Sequence, residues 1–223
     1  MTRPVSGPGL CLLAFLALST GGGARADEES DWRTLQESNR LNVWVPFKED
    51  KLRHIRLFSK IEEGKRLRSM KAEAELEAPV DRVTRALTDF PGFTAWLWNL
   101  KSVRVLRQDA AGTYFLHLLF RTPGGLPDRD VVLRYQVKTA DNGRQTMIQA
   151  EDAPDFPSPA PGVVRIPDMS LTIVVEEMET GRSRFSSQLQ VDPGGQVPLW
   201  AANFVQRRAP YATMLGLIRV LEP

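Results

Sequence analysis

The most informative stretch of this chain for its fold runs from Val191 to Arg219 and reads V-D-P-G-G-Q-V-P-L-W-A-A-N-F-V-Q-R-R-A-P-Y-A-T-M-L-G-L-I-R. Asp192 to Gly195 are four residues that favour tight turns, so a strand is predicted to end there. Apolar residues then recur at helical spacing, at Trp200, Phe204, Tyr211, Met214, Ile218 and Leu221. The stretch therefore predicts a strand, a turn and a long closing helix whose apolar side packs on the rest of the protein.

Upstream of this stretch, short runs alternate apolar and polar residues in the way that is typical of half-buried strands. We predict strands at Leu41–Phe47, His54–Lys60, Leu67–Ala78, Ser102–Arg107, Thr113–Arg121, Asp130–Lys138, Gln145–Glu151, Ser170–Met178 and Arg184–Val191. Helices are predicted from Glu28 to Ser38 and directly after Ala78, where Pro79 suits the first helical turn. Short polar turns between successive strands favour antiparallel pairing, so the predicted fold class is α+β.

The N-terminus has the composition of an export signal. Arg3 precedes an apolar run from Leu10 to Leu18, and Ala24-Arg25-Ala26 offers the small residues that signal peptidase reads. We expect residues 1–26 to be removed, which leaves residues 27–223 as one domain in the periplasm. An uncleaved anchor is disfavoured because the apolar run is well short of the roughly 20 residues that span a bilayer.

Charge and composition disfavour several classes of function. Removal of Arg3 and Arg25 with the signal leaves 27 basic and 27 acidic residues, so nucleic-acid binding is not expected. The single cysteine, Cys11, lies inside the signal, and no spacing of His, Asp and Glu suggests a metal site or a cofactor. His54 and His117 each fall opposite the apolar residues of their strand, so both are predicted to lie on the surface rather than to be catalytic.

One face of the predicted sheet is strongly apolar. It collects residues from three strands: Tyr114, Leu116, Leu118 and Phe120; Val131, Leu133 and Tyr135; and Phe185 and Ser187. The hydroxyl groups on this face come from Tyr114, Tyr135 and Ser187. Such a face is either a packed core or the wall of a ligand cavity, and periodicity does not distinguish the two.

Two stretches rich in proline and glycine, Arg121–Asp128 and Asp152–Pro167, interrupt the strands and are predicted to be irregular loops. Pro210 falls inside the closing helix, where it removes one backbone hydrogen bond, so a bend is predicted near Gln206–Ala209. The bend serves either as a hinge or to let the helix follow the curvature of the sheet.

Four stretches, in order along the chain, resemble the START family of steroidogenic acute regulatory protein-related lipid-transfer domains: Asp89–Trp96, Asp128–Val132, Gly162–Arg165 and above all Val191–Arg219. The resemblance implies a helix-grip fold, in which a curved antiparallel sheet surrounds a lipid-sized cavity that the C-terminal helix closes. It therefore implies that the apolar face is hollow, and that Arg165 anchors its loop.

The same resemblance implies the ligand and the residues that bind it. The expected partner of a monomeric domain is a lipid or other hydrophobic small molecule, with transient membrane contact when it is released. The implied cavity residues are Trp96, Tyr114, Leu116, Leu118, Phe120, Val131, Leu133, Tyr135, Phe185, Ser187, Trp200, Phe204, Tyr211 and Met214. The implied gate loop contains Pro123, Gly124, Gly125, Leu126 and Pro127.

The chain departs from the family pattern at one position. Some relatives place a charged residue on the cavity face shortly after the Arg-Asp pair, whereas here the alternation puts Tyr135 on that face and Arg134 outside. Tyr135 is therefore the predicted hydrogen-bond partner of a ligand. Two alternatives remain open: a polyketide cyclase- or aromatase-like enzyme that uses Tyr114, Tyr135 or Ser187, and an adaptor with a filled core that binds an envelope protein.

Overall fold

A computed structural model describes residues 41–65, 67–109, 112–140, 142–156, 160–179 and 181–222. The predicted signal peptide and the predicted helix Glu28–Ser38 lie outside these residues. Within them the chain forms three α-helices: α1 (Val80–Thr88), α2 (Phe93–Trp96) and α3 (Leu199–Leu221). The ten strands are β1 (Val45–Asp50), β2 (Ile55–Lys60), β3 (Ser69–Leu76), β4 (Leu100–Gln108), β5 (Tyr114–Phe120), β6 (Asp128–Thr139), β7 (Gln145–Asp152), β8 (Val163–Arg165), β9 (Asp168–Glu179) and β10 (Arg182–Asp192).

Nine of these strands form a curved sheet in the order β1-β2-β3-β10-β9-β7-β6-β5-β4, and each neighbouring pair is antiparallel. Both edges of the sheet approach α3. On the β1 edge the Tyr211 hydroxyl donates to Asp50 Oδ2 over 2.6 Å, and just before β4 the Trp98 amide donates to Thr213 Oγ1 over 3.4 Å. The predicted helix-grip architecture, a large curved antiparallel sheet with a C-terminal helix, is confirmed.

The first two strands begin later than predicted. Asn42 has a φ of 60°, which turns the chain, and Leu41 contributes only a bridge to Ile61, so β1 starts at Val45. His54 also has a positive φ, 52°, and it ends the turn between β1 and β2 instead of opening β2. Local left-handed conformations of Asn and His therefore override the apolar alternation at both places.

The prediction that both proline-rich stretches are irregular was wrong in detail. Pro123–Gly125 forms a 3-10 turn inside the first stretch. In the second, β8 pairs in parallel with the start of β6, at Asp128–Asp130. A strand of three residues is too short to show alternation, and the pairing depends on residues far apart in the chain, so sequence periodicity could not reveal it.

The long helix α3 runs unbroken from Leu199 to Leu221 with Pro210 inside it, and the predicted bend stays a prediction. Its C-terminal half packs through Met214, Leu217 and Leu221, which are buried. Gly216 permits a close approach to α2, because a Cβ at this position would lie 2.4 Å from the Trp96 carbonyl oxygen. The contact fixes the C-terminal half of α3 against the rest of the core.

Candidate ligand-binding site

The concave face of the sheet has two ends that differ in packing. We call the first the closed end; its members are fully or almost fully buried, and they include Leu116, Leu133, Ile148, Val175 and Phe185. They form one cluster with apolar side chains of α1, α2 and α3. A side chain beside a water-sized void would keep accessible surface, so this end is a packed core.

The structure corrects the expectation that the whole apolar face is hollow. Eight of the predicted cavity residues are at most 8% exposed and belong to the packed cluster: Trp96, Leu116, Leu118, Val131, Leu133, Tyr135, Phe185 and Met214. Alternation placed the six strand residues among them on the correct face of the sheet, whereas Trp96 and Met214 belong to helices. It carried no information on α1 and α2, whose side chains fill the space in front of them.

Tyr135 shows what this packing does to a predicted polar contact. Its hydroxyl donates to the Leu87 carbonyl oxygen over 2.8 Å, and the side chain is 3% exposed. Phe90 and Phe93 pack edge-on against its ring. Burial raises the pKa of Tyr135 well above its ordinary value, so the phenol stays neutral. The hydroxyl therefore anchors the end of α1, and the prediction that it binds the ligand is corrected.

The hydroxyl groups proposed for an enzyme do not converge. Tyr114 and Tyr135 are direct partners across β5 and β6. Ser187 lies on β10, three strands away from β6 in the sheet order. Strands lie about 4.8 Å apart, which separates Ser187 from Tyr135 by about 14 Å along the sheet. Tyr114, Tyr135 and Ser187 therefore do not form a catalytic cluster.

We call the second region the open end. It consists of apolar residues of the concave face that keep part of their surface accessible: Phe120, Met169, Leu171, Leu189 and Val191. In the register of β9 and β10, Leu189 lies opposite Leu171 and Val191 lies opposite Met169. Ser187 precedes them on the same face and is half-buried. The apolar residues of the open end are therefore on the concave face and only partly covered.

The remaining predicted cavity residues lie on α3 and at the start of β5. Trp200 and Phe204 project from the N-terminal half of α3 and are exposed. Tyr211 lies two turns farther along that helix, and its hydroxyl donates to Asp50. Tyr114 is half-buried at the boundary with the closed end, with its ring centre 4.8 Å from that of Phe90.

The predicted gate loop lies against the first turn of α3. Gly124 has a φ of 72°, and a Cβ there would lie 2.3 Å from the Trp200 ring, so the indole rests directly on this glycine. The flanking residues of the loop differ in exposure: Pro123 and Leu126 are half-buried, whereas Gly125 and Pro127 are exposed. Trp200 is itself 56% exposed, and Leu199 is 73% exposed. The contact between loop and helix is thus a single aromatic ring over a backbone turn.

Arg129 holds this loop from below, and the sequence analysis did not identify it as a site residue. Its Nη1 donates to the Pro127 carbonyl oxygen over 2.6 Å and to Thr122 Oγ1 over 3.2 Å. Arg129 lies opposite Phe120 in the sheet, on the concave face, and is 6% exposed. Burial lowers the pKa of Arg129. The sequence did contain a signal for its position, because Arg129 alternates in register with Val131. The predicted strand began at Asp130 and therefore left Arg129 out.

On the convex face, the next residue of β6 is bound by two side chains. Asp130, 1% exposed, accepts hydrogen bonds from Arg165 Nε and Nη2 over 2.9 and 3.0 Å, and from His117 Nε2 over 2.8 Å. Burial by itself raises the pKa of Asp130, but these hydrogen bonds outweigh it and hold the pKa below its usual value. Arg165 thus ties β8 to the sheet, and His117 is half-buried in the network rather than a surface residue as predicted.

A groove of about 590 Å³ follows the N-terminal half of α3, between this helix, β1 and Trp98. Five aromatic residues line it, namely Phe47, Trp98, Trp200, Phe204 and Tyr211. Its charged lining residues are all cations: Lys48, Arg207 and Arg208. Three of the lining residues, Trp200, Phe204 and Tyr211, are predicted cavity residues.

The described part of the chain contains neither a cluster of metal ligands nor a membrane-spanning helix. No group of three or more His, Cys, Asp and Glu side chains is placed there to hold a metal ion. None of the helices described combines the length and the apolarity needed to span a membrane.

Comparison with known proteins gives relatives at low identity. No model of a protein family matches the sequence. An uncharacterized protein of Pseudomonas aeruginosa is 22% identical over 214 residues, which cover 96% of both chains.

Solved structures resemble the fold more clearly. The STAR-related lipid transfer protein of Xanthomonas axonopodis is 25% identical, with a TM-score of 0.71 over 80% of this chain and 98% of that one. Human STARD10 gives a TM-score of 0.69 at 20% identity, over 86% and 79% of the two chains. Human StAR-related lipid transfer protein 5 gives 0.71 at 15% identity, over 89% and 95%. Together with the helix-grip architecture, these likenesses show that the chain is similar to START domains and has their fold.

Proposed function

We propose that this protein binds a lipid or other large hydrophobic molecule at the open end, beneath α3, and carries it through the periplasm between membranes. One observation carries the proposal. Apolar residues of β9 and β10 face the interior of the fold and yet stay partly accessible, next to a closed end that is fully packed. A folded protein rarely leaves such a surface uncovered without a partner for it. The START fold supports a hydrophobic ligand in general terms.

Burial of the ligand supplies the binding energy. Removing apolar surface from water is worth about 25 cal/mol per Å². An acyl chain that buries about 400 Å² would gain about 10 kcal/mol before the cost of ordering is subtracted. Because this term is not directional, polar contacts at the mouth must set the orientation of the ligand.

Access depends on the parts of the fold that are least secured. The C-terminal half of α3 is held by Met214, Leu217 and Leu221 in the core, whereas its first turn rests on the gate loop through Trp200. Movement of the loop and of this first turn would open the site without disturbing the core. Leu199 and Trp200, both exposed, are then the residues that touch a membrane during transfer.

Native mass spectrometry after incubation with a lipid extract tests the proposal. We expect one bound molecule of lipid mass per protein chain. Ser187→Phe should reduce lipid uptake at least tenfold, because the phenylalanine ring occupies the open end. The reduction is measured while the wild type and the variant compete for a fixed amount of lipid. Ser186→Phe on the same strand is the matched control, since Ser186 lies on the opposite face of the sheet. Recovery of unliganded protein alone, after exposure to lipid, would reject the proposal.

A further inference from the structure

The mouth of the open end contains a buried cation that no anion balances. Arg129 is 6% exposed, and its neutral acceptors are the Thr122 hydroxyl and the Pro127 carbonyl, both on Nη1. The Nε atom is buried and has no hydrogen-bond partner, and among the described residues Arg129 forms no ion pair. A guanidinium group has five hydrogen-bond donors and a positive charge, so its burial costs free energy unless a carboxylate or phosphate lies beside it.

The adjacent residue shows how this fold treats a buried charge when it is purely structural. Asp130, next in β6 but on the opposite face, receives Arg165 and His117 as partners. Arg129 points to the concave face and receives only neutral oxygens of the loop that it holds. The difference indicates that the partner of Arg129 comes from outside the chain.

The two loop contacts also link Arg129 to access. When the loop from Thr122 to Pro127 moves away, Nη1 loses both of its acceptors, and the guanidinium is left in an apolar surrounding beside Phe120. This state is unfavourable unless a new acceptor arrives. A carboxylate or phosphate offers two oxygens in the geometry that a guanidinium binds best.

We propose that Arg129 binds the oxyanion of the ligand's head group, and that this ion pair replaces the hydrogen bonds by which Arg129 holds the gate loop. The inference rests on the proposed function and names its ligand class: a single-chain or multi-chain amphiphile with a carboxylate or phosphate head. The apolar chain extends from Phe120 along Leu171 and Leu189. An uncharged ligand of the same length does not release the loop.

The test measures how the full-length protein binds three probes of equal chain length: hexadecanoate, hexadecyl phosphate and hexadecan-1-ol. Binding is measured by competition in native mass spectrometry. We expect the wild type to prefer the anionic probes over the alcohol by about tenfold or more. Arg129→Met should abolish this preference, so that the anionic probes bind no more tightly than the alcohol. Arg134→Met is the matched control, since Arg134 lies on the same strand but is exposed on the convex face.

Each outcome has a distinct meaning. Preference for only one anionic probe supports the inference and identifies the head group as carboxylate or phosphate. Equal binding of all three probes by the wild type overturns this inference and leaves the proposed function standing, whereas binding of none overturns both. If Arg129→Met does not fold, as judged by circular dichroism, Arg129→Lys replaces it; that variant keeps the charge without the fork and should show an intermediate preference.

Hydrogen exchange tests the link to the gate independently of affinity. The amides of Thr122, Gly124, Gly125 and Leu126 should exchange faster with hexadecanoate bound than with hexadecan-1-ol bound, because the anion takes Arg129 from the loop. Equal or slower exchange with the anionic probe would overturn the proposed release of the loop.

Discussion

The closed end and the open end of the concave face have the same apolar alternation but differ in how far their side chains are buried. At the closed end, α1, α2 and the C-terminal half of α3 supply side chains such as Val83, Phe93 and Leu217, and the space is filled. At the open end, side chains such as Phe120 and Leu189 stay partly accessible, and four residues beyond Phe120 the gate loop meets the first turn of α3 through Gly124 and Trp200. One sheet can therefore be filled at one end and stay partly accessible at the other, depending on which elements pack against it.

The largest expected effect tests the packing difference directly. Leu116→Ala removes a fully buried side chain from the closed end and should lower the free energy of unfolding by about 3 kcal/mol, because it leaves a cavity. Leu189→Ala removes the same atoms from the open end, where the side chain is half-buried, and should cost about 1 kcal/mol. Urea unfolding measures both values. Equal losses would remove the distinction between the two ends.

A smaller effect tests the cover of the open end. Gly124→Ala places a Cβ 2.3 Å from the Trp200 ring at a φ of 72°, so it should cost about 2 kcal/mol and speed the exchange of bound ligand. Gly125→Ala is the matched control: its φ is 73°, and its Cβ would meet nothing within 4 Å. It should cost about 1 kcal/mol from backbone strain and leave exchange unchanged. Identical exchange rates in the two variants, measured by ligand transfer to vesicles, would mean that Trp200 does not cover the site.

The smallest effect tests the role of Tyr135 in the closed end. Tyr135→Phe loses the hydrogen bond to the Leu87 carbonyl and should cost about 1 kcal/mol, with ligand selectivity unchanged. Because the folded protein raises the pKa of Tyr135, its contribution is complete below the ordinary pKa of about 10 and is lost as the pH rises above that value. Stability of the wild type should therefore fall more steeply above pH 10 than that of the variant. Altered selectivity in Tyr135→Phe would return this residue to the ligand site.

Much of the fold was accessible to prediction because its signals are local. Runs such as Gln145–Asp152 and Arg182–Asp192 are long enough for alternation to show, and the predicted boundaries were within two residues. β8 was missed because three residues carry no period and its partner, Asp128–Asp130, is more than thirty residues away. Arg129 was missed because the predicted strand began at Asp130, one residue after it.

The site was less predictable than the fold. Alternation identified which residues face inward, and Phe120 and Leu133 share that property. It did not reveal that Leu133 is buried beneath helices and that Phe120 is partly accessible, because those helices come from other parts of the chain. The fate of the Tyr135 hydroxyl depended in the same way on the end of α1, at Leu87.

The sequence alone determined the strands, the closing helix, the apolar face and the balance of charge, since each depends on residues within a few positions of one another. The folded arrangement established which part of that face is filled, which hydroxyl is already bonded and which buried arginine has no anionic partner among the described residues. Those properties arise from contacts between distant segments, and the free energy of a buried group depends on everything packed around it.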